Sequence, residues 1–175
     1  MNKFKQFFIA LGIVLMTSGC QNQIKPVIVP AVEAPRPSHP GLEIIGGVEQ
    51  VYILPIKAPF EARIDTGAET SSLDVSKIKQ FERDGEKWVA FNLDHDGQGE
   101  KHRFEKKIVR KTTIRRIEKN EKRIVVNMDV KIGDELINAD FTLADREKFT
   151  YQVLIGRNIL NGRFLIDPSL ENTLH

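Results

Sequence analysis

Ile64-Asp65-Thr66-Gly67-Ala68-Glu69-Thr70-Ser71 is the stretch on which the reading of this chain turns. The apolar run from Phe60 to Ile64 leads straight into an Asp-Thr-Gly-Ala turn, so a strand delivers a carboxylate to the head of a tight loop. A hydroxyl at Thr66 can brace such a turn by hydrogen bonding, and Gly67 permits close backbone approach or a positive φ. Two carboxylates brought face to face cannot both ionise; one keeps its proton while the other activates a water. The motif points to paired-carboxylate chemistry with Asp65 as the catalytic candidate. An Asp that only caps its own loop has the same local appearance, so a second stretch has to separate the two.

That stretch is Val153-Leu154-Ile155-Gly156-Arg157-Asn158-Ile159-Leu160. Asp-Thr-Gly-Ala-acid followed by hydrophobic-Ile-Gly-Arg-Asn-hydrophobic-Leu resembles the signature pair of retropepsins, the aspartic proteases of retroviruses and their cellular relatives. More closely, Leu54 through Ser72, with Leu154-Ile155-Gly156-Arg157 and Phe164-Leu165-Ile166-Asp167-Pro168-Ser169, resembles a bacterial family of retropepsin-like aspartic endopeptidases often labelled "ATP-dependent zinc protease". The resemblance spans roughly residues 44 to 169. It implies that Thr66 buttresses the active loop and bonds across a subunit interface, and that Gly67 and Ala68 let substrate backbone lie close. It also implies that Glu69 pairs with Arg157, tying the loop to a helix. Glu replaces the retroviral Asp there, a change that a bidentate Arg–carboxylate bond tolerates.

The chain holds one Asp-Thr-Gly and no Asp-Ser-Gly. A dyad then requires a symmetric homodimer with Asp65 from each subunit meeting on the two-fold axis. The expectation is an aspartic endopeptidase acting on peptides or proteins; the alternative is a non-catalytic peptide-binding or scaffold module that keeps the fold. Retropepsin flaps carry glycines at the tip, and Gly97 and Gly99 are the candidates here.

Residues 1 to 19 read as a signal peptide. Lys3 and Lys5 precede the apolar run Phe7 to Met16, too short to span a bilayer, and Thr17-Ser18-Gly19-Cys20 follows. The Ser-Gly-Cys ending resembles a bacterial lipobox, which implies lipidation of Cys20, although Thr17 stands where the lipobox usually has Leu. Cys20 is the only cysteine, so a disulfide within the chain and thiol catalysis in the folded domain are both excluded. Gln21 rather than Asp after it implies the periplasmic face of the outer membrane rather than inner-membrane retention. Residues 20 to 41 form the lipidated Cys and a linker holding Pro26, Pro30, Pro35, Pro37 and Pro40, an extended spacer. Residues 42 to 175 form the domain.

Within that domain the pattern is all-β: a small retropepsin-like β barrel with one short C-terminal helix. Val48 to Leu54, Ala58 to Ile64, Leu73 to Val75 and Trp88 to Leu93 read as strands, and Ile108 to Ile117 as a polar ribbon. Ile124, Val126, Met128, Val130 and Ile132 alternate with Val125, Asn127, Asp129 and Lys131, a period of two with one buried face. Gly133-Asp134 turns this strand into Leu136 to Leu143. Arg157 to Leu160 makes one helical turn before a strand at Phe164 to Ile166.

Asp94-His95-Asp96-Gly97 with His102 could be mistaken for a metal site. It lacks the three converging ligands of a catalytic zinc, and polar Asp and Gly suit a hairpin loop. No cofactor is expected: the chain has no phosphate-binding Gly-x-x-x-x-Gly-Lys-Ser/Thr loop. Lys101 to Arg123 holds eleven Lys and Arg against Glu105, Glu118 and Glu121, in a protein whose net charge is +2. Lysines blunting a sheet edge would explain it; so would a basic flap drawing in acidic peptides or an anionic membrane. Export removes nucleic acid as a partner. Ser71-Ser72 lacks a nucleophile elbow, and His39 sits in the linker.

Overall fold

The computed structural model describes residues 41–95, 101–114, 120–144 and 150–174. The signal segment, Cys20 and most of the linker lie outside these residues, as do Gly97 and Gly99. Among the described residues no helix is long and apolar enough to cross a membrane.

Among the described residues eleven strands and one helical turn follow one another: β1 (Glu43–Ile45), β2 (Val48–Ile53), β3 (Phe60–Ile64), β4 (Ser71–Asp74), β5 (Ser76–Arg83), β6 (Glu86–Asp94), β7 (Lys101–Ile114), β8 (Glu121–Ile132), β9 (Glu135–Ala144), β10 (Val153–Ile155), α1 (Arg157–Leu160) and β11 (Phe164–Ile166). The order β2-β3-β10-β4-β9-β8 closes on itself through a β2–β8 pairing, giving a six-stranded barrel. Strands β7, β6 and β5 continue outward from β8 as an antiparallel arm, and β1 pairs with β11 in a separate parallel sheet. The fold is the expected small all-β barrel with one short helix.

Sequence periodicity explains the barrel wall. In β8, Ile124, Val126, Met128, Val130 and Ile132 are all buried, and each large aliphatic side chain taken out of water contributes about 1.5–3 kcal/mol. Val125 departs from the expected one-sided pattern. It is fully buried on the opposite face, where it sits across from the buried Thr142. The β8–β9 hairpin turns at Gly133-Asp134, with Ile132 paired to Glu135 and Gly133 at φ 54°.

Three parts of the expectation change. Strand β7 starts at Lys101, seven residues before Ile108. A full strand, β5, precedes β6; the two are joined through Asp84 and Gly85, both at positive φ. That pair is the Asp-Gly combination favoured by tight hairpins. Finally, β10 is a short strand inserted between β3 and β4, parallel to the first and antiparallel to the second.

Candidate active site

The insertion of β10 builds the site. Strand β3 ends at Ile64, paired with Ile155, and β4 begins at Ser71; the intervening loop 65–70 must cross the end of β10. Asp65 N–H donates to the Ile155 carbonyl at 2.9 Å, which fixes the first loop residue to β10. The chain leaving β10 then reaches back: Arg157 N–H donates to Ala68 O at 2.9 Å and Asn158 N–H to Glu69 O at 3.1 Å. Gly156 lies under the loop, where a Cβ would come within 2.9 Å of the Thr70 carbonyl carbon and 3.0 Å of Ala68 O and Ser71 N. Only glycine fits without moving backbone.

Asp65 is half-buried at the head of this loop. Its Oδ1 accepts hydrogen bonds from the N–H groups of Gly67 at 2.9 Å and Ala68 at 3.2 Å. These bonds set the carboxylate's orientation. Thr66 and Gly67 are exposed and Ala68 is half-buried, so the top of the loop faces solvent.

Arg157 does brace the loop, though by a different contact from the one expected. Its Nη1 donates to the carbonyls of Thr66 at 2.9 Å and Gly67 at 2.8 Å. No ion pair joins Arg157 to Glu69 among the described residues; Glu69 touches the helix through its main-chain carbonyl, and its side chain is exposed. The reason is geometric. Two loop carbonyls converge where the guanidinium arrives, and the Glu69 side chain points to solvent.

Two residues without an assigned role hold the base of the loop. Ser71 is fully buried. Its hydroxyl accepts from Gly156 N–H at 3.0 Å and donates to Asn158 Oδ1 at 2.9 Å, and its own N–H donates to the same oxygen at 2.8 Å. Asn158 Nδ2 then donates to the Asp140 carbonyl at 2.9 Å, carrying the network to β9. The asparagine of the Gly-Arg-Asn triplet was the available signal, because a carboxamide can serve a donor and an acceptor at once.

Beside the loop lies a polar cavity of about 400 Å³ bordered by Glu69, Thr70, Arg110, Asp140, Arg157 and Asn158. Arg110 and Asp140 face each other across 3.4 Å. Elsewhere, Asp94 accepts from Ser76 Oγ at 3.2 Å and His95 Nε2 lies 2.8 Å from the Pro59 carbonyl. Among the described residues no three His, Cys, Asp or Glu side chains converge on a common point.

A "Probable alpha-L-glutamate ligase" of Shewanella pealeana is 34% identical over 131 residues, covering 72% of this chain and 28% of that protein. One of the same description from Desulfotalea psychrophila is 31% identical over 137 residues, 75% of this chain and 29% of that one. The chain thus spans under a third of the length of these relatives. The crystal structure of Lpg0085, a Legionella pneumophila protein of unknown function, superposes with a TM-score of 0.64 at 30% identity, covering 75% of this chain and 97% of that one. The family described as "Retropepsin-like aspartic endopeptidase RimB" matches residues 44–174. The chain belongs to the RimB-like family of retropepsin-like proteins.

Proposed function

We propose that this protein is an aspartic endopeptidase whose dyad is formed by Asp65 from two subunits. The observation that carries the reading is the Asp65 loop itself: a carboxylate oriented by the loop's own amides, on a turn held from beneath by Gly156 and laced to Arg157. One Asp65 takes a proton from water as general base, and the other, protonated, donates to the scissile carbonyl; the roles then exchange. Thr66 is exposed in the single chain, and in the proposed dimer it would bond across the subunit interface.

Acidic, glutamate-containing peptides are the substrate class proposed. The support is that the relatives are named glutamate ligases while this chain matches under a third of each, together with the lysine- and arginine-rich strand β7. The proposal places the domain outside the cytoplasm, anchored through lipidated Cys20. A second reading, a peptide-binding module without turnover, draws on the Gly67 and Ala68 bonds to Asp65, which a purely structural turn Asp also makes. Cleavage of a peptide library rich in glutamate, between about pH 4 and 8 and beside Asp65→Asn, separates the two. Cleavage that vanishes in the variant supports the peptidase. Equal cleavage by both proteins excludes Asp65, and peptide binding without cleavage by either favours the module.

A further inference from the structure

The peptide unit entering Ile64, one residue before Asp65, rests on the C-terminal segment through a short main-chain relay. Ile64 N–H donates to Gly47 O at 3.0 Å, and Gly47 N–H donates to Leu170 O at 2.8 Å. At Gly46 a Cβ would run into the Leu170 carbonyl. The bend between β1 and β2 is therefore pressed between the catalytic strand β3 and residues 170–174. Asn172 N–H, donating to Val48 O at 2.8 Å, extends the contact along β2.

A buried carboxylate clasps this junction. Glu49 in β2 is fully buried. It accepts from Gly46 N–H at 2.6 Å, from the Thr173 hydroxyl at 2.6 Å, from Thr173 N–H at 2.9 Å and from Leu174 N–H at 3.2 Å. Every donor is neutral. Charged side chains on the adjoining elements include Glu43 on β1, Glu61 and Arg63 on β3, Asp129 and Lys131 on β8, and Asp167 and Glu171 before the clasp; these are exposed or half-buried. None of them bonds to Glu49. Among the described residues its charge is therefore stabilised by these hydrogen bonds and not by a cation.

We infer that Glu49 is a positioning residue for the Asp65 loop: ionised, it clasps Thr173 and Leu174 to the Gly46–Gly47 bend beneath Ile64, and its protonation opens the clasp. The inference rests on the reading of Asp65 as catalytic. Protonation would place an O–H donor among four donors and remove acceptor capacity where all of it is used. Burial pushes the Glu49 carboxyl up, but the bonds from Thr173, Gly46 and Leu174 outweigh it and hold it below the usual carboxylate range. The clasp is accordingly intact above that range and opens as pH falls below it. The site would then have an acid limit set at Glu49.

The test follows amide-proton NMR shifts of Ile64, Gly46, Thr173 and Leu174 from neutral to acid pH in the wild-type chain, Glu49→Gln and Thr173→Val, with peptide cleavage measured alongside. The inference predicts one shared inflection below the usual glutamate range in the wild-type chain, and none in Glu49→Gln. In Thr173→Val, which keeps the carboxylate but loses one donor, the inflection persists and moves upward. For Glu49→Gln, kcat should fall roughly tenfold to a hundredfold with KM little changed, because misplacing the loop harms the reaction more than binding. Should Glu49→Gln not fold, Thr173→Val carries both readouts. An Ile64 amide that ignores the Thr173 inflection overturns the inference, as does a wild-type kcat and pH profile in Glu49→Gln. If no chain cleaves peptide while the four amides still move together, the coupling stands and only the Asp65 chemistry falls.

Discussion

The carboxamide oxygen of Asn158 takes two hydrogen bonds from Ser71, one from the main-chain N–H at 2.8 Å and one from the hydroxyl at 2.9 Å. Residues 87 positions apart are thereby locked at the exit of the Asp65 loop. Because Ser71 is fully buried, removing the acceptor leaves two donors unpaired, at about 1–3 kcal/mol for each such group. Asn158→Ala should therefore lower stability by about 2–4 kcal/mol, less than two independent losses because the donors share one partner. Urea denaturation checks this, and a midpoint equal to wild type would contradict it.

Gly156→Ala should cost about 1–3 kcal/mol, because overpacking here meets backbone atoms of Ala68, Thr70 and Ser71 and no flexible side-chain end. The loop would have to rise to make room, so peptide cleavage should fall further than stability does. The measurement is kcat beside thermal unfolding; unchanged values in both would show that the packing under the loop is loose.

Arg157 and Glu69 should separate. Arg157→Ala removes two charge-assisted bonds to loop carbonyls, and a loss of about tenfold or more in kcat is expected from loop misplacement. Glu69→Gln leaves the main-chain bond to Asn158 in place. Its stability should stay within about 0.5 kcal/mol of wild type, as for an ordinary surface change. A double-mutant cycle reads the coupling between them. A large coupling energy would restore the ion pair that the structure lacks.

Glu49 makes the stability of the fold depend on acid. Its carboxyl lies below the ordinary value in the folded chain, so the unfolded chain binds the proton more tightly. The stabilising contribution is present above the unfolded value and is lost as pH falls through the lower folded one. Glu49→Gln should flatten the acid limb of unfolding free energy against pH while lowering the plateau at neutral pH. An acid limb as steep as wild type would show that other carboxylates govern it.

Much of the barrel was legible because its walls alternate. The run Ile124 to Ile132, the Gly133-Asp134 turn and the helical turn after Gly156 all read directly from spacing. Strand β5 was hidden for a physical reason. Its residues are exposed or half-buried along their whole length, and the register slips between Ser76 and Lys79, with Lys77 at φ 54°, so it carries no apolar stripe. The Asp84-Gly85 pair was its one overlooked sign. Strand β10 has three residues and earns its place by pairing on both sides, which no local pattern encodes. At the site, the Asp65 and Arg157 motifs were visible. The loop carbonyls that Arg157 binds, Gly156 and Asn158 against Ser71, and Thr173 and Leu174 against Glu49 were not, since these pairs lie 85 to 125 residues apart in sequence.

The shared dyad is tested most directly by mixing wild-type chains with Asp65→Asn chains at constant total concentration and letting subunits exchange. If each active unit needs Asp65 from both chains, activity falls as the square of the wild-type fraction, so an equal mixture keeps about a quarter of the activity. The account predicts that curve. Activity falling in simple proportion, with about half remaining at equal mixture, would mean that one chain is sufficient and would contradict it.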